Sequence, residues 1–373
     1  MRVAVVGPTH PYKGGVAAHT TELATHLAAA GHECDLVSWS HLYPSRLYPG
    51  EQSVPDGVPE VAPYARTTRP LSWARPDSWV RVGRRLRRYD LVVLVHVIPA
   101  VVPAHLALLA ALHQRGGQGP RVVVLAHNVL PHETHPGAAA LVRAMFAGAD
   151  GVLVHSAKQA ALAREHGARA VAVAPLPPFL PGGPALARTP HPGPPRLLAM
   201  GMVRTYKGTD LLLEALAQVP GPTLTIAGEL WGKAGERVRE LAATPGLRDR
   251  VTVRSGYVPA TAIPALLAEH DVMALPYRSA TGSQNALLGF AHGLPVLATR
   301  VGTFPAEVRD GINGLLAEPG SVDSLVAALR RLNELGVVAG LQSGVRAPDL
   351  TSPWTVYVAA LAGAGAQPAV AAG

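Results

Sequence analysis

The stretch Gly201-Met202-Val203-Arg204-Thr205-Tyr206-Lys207-Gly208 (GMVRTYKG) decides the fold, because it joins a strand signal to a helix signal. The apolar run at 197–200 predicts a buried strand. The run at 209–216 predicts a helix with Thr209 as its cap. Arg204 and Lys207 are therefore predicted on a loop at the carboxyl end of a strand, where open α/β sheets bind ligands.

The two cations of this loop suit a diphosphate. The guanidinium of Arg204 can bind phosphate in a fork, and the ammonium of Lys207 acts as a point charge. A solvated basic turn is the alternative, because a short motif by itself has low specificity.

Outward from this loop, strand and helix signals alternate along the chain. In the second half, strands are predicted near six residues: Arg196, Thr223, Val251, Val272, Val296 and Leu315. In the first half, they are predicted at 3–6, 34–39, 91–97, 122–126, 152–154 and 171–173. Residues 40–75 are rich in Pro, Tyr and Arg and are predicted to be irregular, and Asp271 is predicted to be a turn residue. The alternation indicates α/β architecture with parallel, doubly wound sheets.

A proline- and glycine-rich break divides the 373-residue chain into two lobes. Residues 1–175 are predicted to form an N-terminal Rossmann-like lobe, 176–195 a linker and 196–349 a C-terminal Rossmann-like lobe. Residues 350–373 are predicted to pack back on the first lobe, with the Ala/Gly-rich end from 359 onwards frayed. A substrate cleft is expected between the lobes, because each offers loops at its strand ends.

A second loop, 275–285 (LPYRSATGSQN), precedes another predicted helix in the second lobe. Small polar residues at this point leave backbone N–H groups at the helix start, where an anion is favoured. The hydroxyl of Ser283 or Thr281 can add a further contact. An ordinary capped helix explains the Ser and Thr equally well. Because Arg204 and Lys207 lie on another strand-end loop of the same lobe, the two loops together favour a nucleoside-diphosphate site.

Composition restricts the class of protein. With Cys34 as the only cysteine, an internal disulfide and a cysteine-based zinc site are excluded. The first residues lack a signal-peptide pattern, and the longest apolar runs are too short to span a bilayer, so we expect a cytoplasmic protein. The net charge of +8 suggests nucleic acid or anionic lipid as a partner. The lack of a nucleic-acid-binding motif argues against nucleic acid. Since no acidic cluster or strong zinc signature is present, no metal is expected.

Five segments of the second lobe occur in the order found in the donor lobe of retaining glycosyltransferase family four, of the GT-B fold. They are GMVRTYKGTDLLLEAL, TIAGELW, ALPYRSATGS, HGLPVLATRVG and EVRDGINGLL. Upstream, PYKGGVAAHTTELATHLAAAGH resembles the glycine-containing first loop and helix of that family. HNVLPHE (127–133) and HLYPSRLYPG (41–50) resemble segments of one bacterial branch. The resemblance covers most of the chain except the linker and the tail.

This resemblance implies a metal-independent hexosyltransferase. It would move a sugar, with retention, from a nucleoside-diphosphate sugar to a glycan, lipid or small-molecule acceptor held by the first lobe. It would need no cofactor. Its catalytic residues would be Arg204, Lys207 and His127, although His127 can also be a core or capping histidine. The donor-binding residues would be Gly14, Gly15, Gly201, Glu229, Thr281, Gly282, Ser283 and Glu307.

One departure from the family concerns its usual pair of glutamates spaced eight apart. In this chain those positions hold Ala280 and Leu288. The branch with a Ser-Ala-Thr-x-Ser loop also lacks the pair, so Glu229 and Glu307 become the candidates for contacts to donor hydroxyls. Two alternatives stay open: a sugar-nucleotide epimerase on the same fold, and a non-catalytic relative that binds a nucleotide sugar.

A basic segment lies on the first lobe at 75–89. Trp79, Val82 and Leu86 form an apolar stripe surrounded by arginines, and residues 1–169 hold 17 Lys and Arg against 11 Asp and Glu. A basic amphipathic helix can lie on anionic lipid, which predicts peripheral contact with the inner membrane face. The alternative is that the stripe packs on the sheet and the arginines form a solvated face.

Overall fold

The computed structural model describes residues 1–44, 52–113, 119–130, 137–188, 191–280 and 283–366. The chain forms two compact units. The first comprises Met1–Pro177 and Leu350–Gly373, and the second comprises Pro178–Asp349. Most of the predicted linker is therefore grouped with the second unit.

The first unit contains a fully parallel sheet of seven strands in its described part. The strands are β1 (Arg2–Val6), β2 (Glu33–His41), β3 (Thr67–Ser72), β4 (Leu91–His96), β5 (Arg121–Ala126), β6 (Gly151–Val154) and β7 (Val171–Val173). The helices between them are α1 (Gly15–Ala29), α2 (Pro76–Leu86), α3 (Val102–Leu112), α4 (Ala138–Ala147) and α5 (Ala157–Glu165). The strand order is β3-β2-β1-β4-β5-β6-β7. Val5 of the central strand pairs with Leu36 on one side and Val93 on the other. Apolar residues on alternate positions of these strands fill a core on each face of the sheet.

The expectation that 40–75 is irregular is wrong for β3. This strand pairs with β2 at the edge of the sheet, with irregular register between Val37 and His41. Its sequence, TTRPLS, lacks a strand-like pattern because Arg69 and Pro70 interrupt it. An edge strand tolerates proline, since one side of its backbone needs no partner.

The apolar stripe of α2 packs inward. Val82 and Leu86 are buried, and the indole N–H of Trp79 donates to the Ser72 carbonyl at 2.8 Å. Gly83 faces α3 so closely that a β-carbon there would lie 2.6 Å from that of Ala111. The stripe is therefore unavailable to lipid, and the five arginines around it are exposed: Arg81, Arg84, Arg85, Arg87 and Arg88.

The second unit contains a six-stranded parallel sheet in the order β10-β9-β8-β11-β12-β13. Its strands are β8 (Arg196–Met200), β9 (Thr223–Gly228), β10 (Val251–Ser255), β11 (Val272–Leu275), β12 (Val296–Thr299) and β13 (Gly314–Ala317). Its helices are α6 (Thr209–Leu216), α7 (Gly232–Ala242), α8 (Ile263–Ala268), α9 (Gln284–Ala291), α10 (Phe304–Glu307), α11 (Val322–Leu332) and α12 (Val337–Gly344). The order of the strands reverses between β8 and β11. Ligands of open α/β sheets bind at such a switch point, so the loops after β8 and β11 border the candidate site.

Asp271 lies at a bend directly before β11, as predicted for a turn residue, and it is also a buried salt-bridge centre. Its carboxylate accepts hydrogen bonds from Arg196 Nε at 2.9 Å and from Arg188 Nη2 at 3.1 Å. Arg188 comes from the segment before the sheet and Arg196 opens β8. The carboxylate therefore ties the entering chain to the strand.

The C-terminal segment forms the helix α13 (Ser352–Gly363), which packs with α1 in the first unit. Trp354, Tyr357 and Leu361 are at most 1% exposed. The predicted fraying from 359 onwards is therefore wrong for the end of this helix, and 367–373 lie outside the described residues. In the part of the chain that the structure describes, no helix combines the length and the apolar character that a bilayer crossing requires.

Candidate functional site

The loop after β8 is shaped by glycines at both ends. Gly201 has φ 97°, and its N–H donates to the Ala227 carbonyl at 2.9 Å. A β-carbon on Gly201 would lie 3.1 Å from the ammonium nitrogen of Lys207. The glycine therefore lets the backbone and the ammonium come close together.

At the other end of the loop, Gly208 adopts the left-handed conformation with φ 64° and caps α6. The predicted cap by Thr209 is wrong, because Thr209 is already the first helical residue and its side chain is buried. Between the two glycines, Thr205–Lys207 form a single 3-10 turn. Arg204 precedes this turn and is half-buried.

The loop after β11 clamps the loop after β8. Arg278 binds the carboxylate of Asp210 through two hydrogen bonds of 2.7 and 2.8 Å. The same guanidinium donates to the Thr205 carbonyl at 2.8 Å, and the Arg278 N–H donates to the Tyr206 carbonyl at 2.7 Å. The turn that carries Lys207 is thus held from outside. Local sequence patterns do not predict this pair, because its members are 68 residues apart.

Lys207 lies in a half-buried position over an aromatic ring. Its ammonium nitrogen is 5.7 Å from the centre of the Tyr277 ring, a favourable cation–π distance. Burial lowers the pKa of Lys207, Tyr206 acts in the opposite direction, and the nearby positive charge of Arg204 lowers it further. A bound anion would favour the charged form, so this pair of cations matches a diphosphate electrostatically.

Arg204 also borders a pocket that is lined in part by residues of α7. This pocket has an empty volume of about 510 Å³, part of it open solvent. Lys233 and Arg237 of α7 also line it, as does Asp210. The lining thus carries three cations and one carboxylate, and Arg237 is already paired with Glu214 at 3.1 Å.

The start of α9 completes this side of the site. Ser283 caps the helix, its hydroxyl accepting from the Asn285 N–H at 3.3 Å. The Asn285 side chain donates to the Met200 carbonyl at 3.1 Å, which connects α9 with the end of β8. The capped-helix alternative is therefore present in the structure, and an anion-binding role for Ser283 stays a prediction. Thr281 and Gly282 lie outside the described residues.

Two acidic candidates lie elsewhere in this unit. Glu307 ends α10, and its Oε2 is buried without a partner among the described residues. Burial raises the pKa of this carboxyl group. Glu229 follows β9 and is half-buried, and its carbonyl accepts from the Val203 N–H at 2.9 Å. The buried Glu307 Oε2 therefore needs a hydrogen-bond partner, and a ligand hydroxyl can supply one.

The remaining candidates, Gly14, Gly15 and His127, belong to the first unit. Gly14 has φ 101° and precedes α1, and its N–H donates to both carboxylate oxygens of Glu60 at 3.1 and 3.0 Å. A β-carbon on either glycine would meet nothing within 4 Å. The backbone here is therefore open to a ligand, and its N–H already holds a carboxylate.

His127 follows β5 and is buried beside two other histidines. Its Nδ1 lies 3.2 Å from His155 Nε2, and its ring is 4.9 Å from that of His19. Burial lowers the pKa of His127 well below its usual value, and His19 and His155 lower it further. The core-histidine alternative thus describes its surroundings correctly, although its Nε2 has no partner among the described residues.

The described residues contain no group of three or more His, Cys, Asp or Glu side chains arranged to hold a metal ion. His132, Glu133 and His135 lie outside those residues. The requirement for a metal stays a prediction.

Comparison with protein families gives a match in each unit. The family described as Glycosyltransferase Family 4 matches residues 13–179. The family described as Glycosyl transferases group 1 matches residues 194–334, which include both loops of the second unit. The chain is a GT-B transferase of the family-four type.

Curated proteins similar to this chain include a glycosyltransferase and a glycogen synthase. The chain is 30% identical to a D-inositol 3-phosphate glycosyltransferase of Segniliparus rotundus over 208 residues, 51% of this chain and 46% of the relative. It is 28% identical to a glycogen synthase of Mycobacterium tuberculosis over 94% of this chain and 91% of the relative. The chain thus spans about half the length of the first relative and most of the second.

Solved structures support the same fold for this family-four-type chain. HepE of Anabaena in complex with UDP-glucose matches with a TM-score of 0.71 and 17% identity, over 97% of this chain and all of that one. Sucrose-phosphate synthase of Thermosynechococcus elongatus matches with a TM-score of 0.70 and 21% identity, over 97% and 95%. At these identities the likeness shows the GT-B fold.

Proposed function

We propose that this protein is a retaining glycosyltransferase that moves a sugar from a nucleoside diphosphate to an acceptor glycan, lipid or small molecule. The observation that carries the proposal is the pair Arg204 and Lys207 on the loop after β8, which Arg278 and Asp210 hold in place. Both cations lie at the switch point of the second sheet, as a donor site requires. The UDP-glucose bound to HepE supports a nucleotide sugar as the donor class.

In the proposed reaction, the bond between the anomeric carbon and the diphosphate oxygen breaks. A bond from that carbon to the acceptor oxygen forms on the same face, and the acceptor proton passes to the leaving phosphate. Arg204 and Lys207 stabilise the charge that builds on the diphosphate, which is the largest contribution a preorganised site usually makes. No metal or other cofactor takes part in this scheme.

Other groups recognise the donor. Gly14, Gly15 and Gly201 permit close approach of the backbone, while Ser283 adds a hydroxyl at the start of α9. Thr281 and Gly282 belong to the same proposed set of donor contacts. Glu229 and Glu307 contact donor hydroxyls, because Ala280 and Leu288 hold the positions of the usual glutamate pair. The first unit supplies His127 beside the sugar and holds the acceptor.

We also propose a cytoplasmic location with electrostatic contact to the inner membrane face. Arg84 and Arg85 are exposed on α2. Because the apolar stripe of α2 is packed, this contact is made by charge alone. A lipid-linked acceptor would then be taken from the membrane surface.

The direct test is transfer by the purified protein with a panel of UDP-, GDP- and dTDP-sugars. Products are followed by mass spectrometry, and the anomeric configuration is followed by NMR. We expect nucleoside diphosphate release and a new glycoside that keeps the donor configuration. Inversion at the anomeric carbon would contradict retention. Free epimer without any acceptor would favour the epimerase, and donor binding without turnover would favour the non-catalytic relative.

A further inference from the structure

The buried histidines of the first unit form a hydrogen-bonded chain. The Nδ1 atom of His155 lies 3.3 Å from the Ala174 carbonyl oxygen. The Nε2 atom of the same ring lies 3.2 Å from His127 Nδ1. His155 thus uses both ring nitrogens, one on the backbone and one on the candidate catalytic histidine.

These rings are neutral near pH 7. Burial lowers the pKa of His155 to about 4, with the Ala174 carbonyl acting in the opposite direction. Burial and the neighbouring histidines lower the pKa values of His127 and His19 as well. A neutral imidazole carries one ring proton, so one nitrogen donates and the other accepts.

The direction of each hydrogen bond then follows from the carbonyl. The Ala174 oxygen can only accept, so His155 carries its proton on Nδ1 and has a bare Nε2. That bare nitrogen can only accept, so the proton between the rings belongs to His127 Nδ1. His127 Nε2 is therefore a bare acceptor.

The acceptor of His127 is buried and has no partner among the described residues. Buried polar atoms are nearly always hydrogen-bonded in native proteins, and an unpaired one needs a reason. A bare ring nitrogen binds a donor such as a hydroxyl and cannot bind a carbonyl or an ether oxygen.

Neighbouring aromatic rings restrict the rotation of the His127 and His155 side chains. His19 packs edge-on against His127 at 4.9 Å between ring centres and stacks on Trp354 of α13 at 5.2 Å. Tyr357 of α13 stacks on His155 at 5.9 Å. The C-terminal helix thus buttresses the two histidines that face His127.

We propose that His155 is a positioning residue, which holds His127 as the Nδ1-protonated tautomer and presents its Nε2 to a hydroxyl of the transferred sugar. This rests on the proposed function, which places the sugar beside His127. A donor whose sugar lacks that hydroxyl, or carries fluorine in its place, would lose one hydrogen bond. We expect such a donor to react about tenfold more slowly.

The first test reads the tautomer without any substrate. In the full-length protein labelled with ¹⁵N-histidine, a His127→Gln spectrum identifies the His127 signals. We expect a protonated Nδ1 and a bare Nε2 on His127 in the unmodified protein. We expect a mixture of the two tautomers in His155→Phe, which has a ring without an acceptor, and recovery in His155→Gln, whose side-chain oxygen accepts. A protonated Nε2 on His127 in the unmodified protein would overturn the proposal.

The second test separates positioning from folding. We expect His155→Phe to lower kcat/KM about tenfold for donors with the full set of hydroxyls, and to lose the difference between those donors and the deoxy or fluoro donor. His155→Gln should restore that difference. His105→Phe is the control, because His105 is a buried histidine on α3 of the same unit that does not belong to the hydrogen-bonded series from Ala174 through His155 to His127. A His155→Phe enzyme that keeps the full discrimination would contradict the proposal.

The two proposals fail in different ways. The spectra need no substrate, so absence of transfer from every donor would contradict the proposed function alone. The wrong tautomer of His127 would contradict the positioning role whatever the activity.

Discussion

A β-carbon added to Gly208 would lie 2.0 Å from the carbonyl oxygen of Pro276. Gly208 ends the loop after β8, and Pro276 begins the loop after β11. The two loops of the proposed donor site therefore touch through a residue that has no side chain. The hydrogen bonds between Arg278 and the carbonyls of Thr205 and Tyr206 lie beside this contact.

We expect Gly208→Ala to displace the turn that carries Lys207. The substitution adds a clash with Pro276 to a backbone at φ 64°. It should cost about 1–3 kcal/mol of unfolding free energy and lower transfer. The control is Gly232→Ala, at φ 55° with nothing within 4 Å of its β-carbon, which isolates backbone strain. Equal effects of the two substitutions on denaturant unfolding and on kcat/KM would mean that the contact has no role.

We expect Arg204→Ala and Lys207→Ala each to reduce transfer by about a hundredfold or more, as the loss of a key electrostatic contact does. The melting temperature should change little, because the Arg204 and Lys207 side chains do not hold another loop in place as Arg278 does. Arg248→Ala is the control, since the Arg248 side chain is 67% exposed in the same unit. Near-normal rates in both variants, measured with saturating acceptor, would refute the assignment of the diphosphate site.

We expect the free energy of unfolding of the second unit to depend on pH through Asp271. Burial acts to raise the pKa of this carboxyl, but hydrogen bonds from Arg196 and the charges of Arg196 and Arg188 outweigh it and lower the pKa below 3.8. A depressed pKa means that the stabilisation is complete above the ordinary pKa and is lost as the pH falls through the folded-state value. Asp271→Asn should cost about 3 kcal/mol at pH 7 and unfold with a weaker pH dependence below about pH 5.

The control for this pH series is Asp249→Asn, because the Asp249 side chain is 82% exposed. Its unfolding curve should follow that of the unmodified protein at every pH. If Asp271→Asn also followed that curve, the salt-bridge centre would contribute nothing to acid stability.

Transfer should survive exhaustive treatment with EDTA. The reason is that the proposed charge stabilisation comes from Arg204 and Lys207, and Mg²⁺ or Mn²⁺ would need a cluster of oxygen ligands. Initial rates are compared before and after chelation, with a metal-dependent transferase treated in parallel. A complete loss of rate that added Mg²⁺ or Mn²⁺ reverses would contradict metal independence.

Binding to anionic vesicles should depend on Arg84 and Arg85. We expect co-sedimentation with phosphatidylglycerol vesicles at low ionic strength, release at high salt, and weaker binding when both arginines become Ser. Arg87 is left in place, because its guanidinium donates to the Ala111 carbonyl. Replacing Arg330 and Arg331 with Ser removes the same charge from an exposed part of α11 and should not weaken binding. No sedimentation of the unmodified protein at low salt would favour a soluble acceptor.

The sequence by itself determined the elements and the order in which they occur. The six strands of the second unit begin at or next to the residues named for them, because buried parallel strands are short apolar runs bounded by glycine, proline and polar turns. The loop of Arg204 and Lys207 could be placed at a strand end for the same reason. These signals are local, so they can be read along the chain.

Only the tertiary structure decided which distant residues meet. The pairing of Arg278 with Asp210, the chain from Ala174 through His155 to His127, and the packing of α13 on the first unit join residues far apart in sequence. It also decided that the Trp79 stripe faces the core, since an amphipathic pattern shows that one face is buried and leaves open what buries it. Local propensity carries no information about such contacts, because they arise when the sheet brings separate strand ends to one edge.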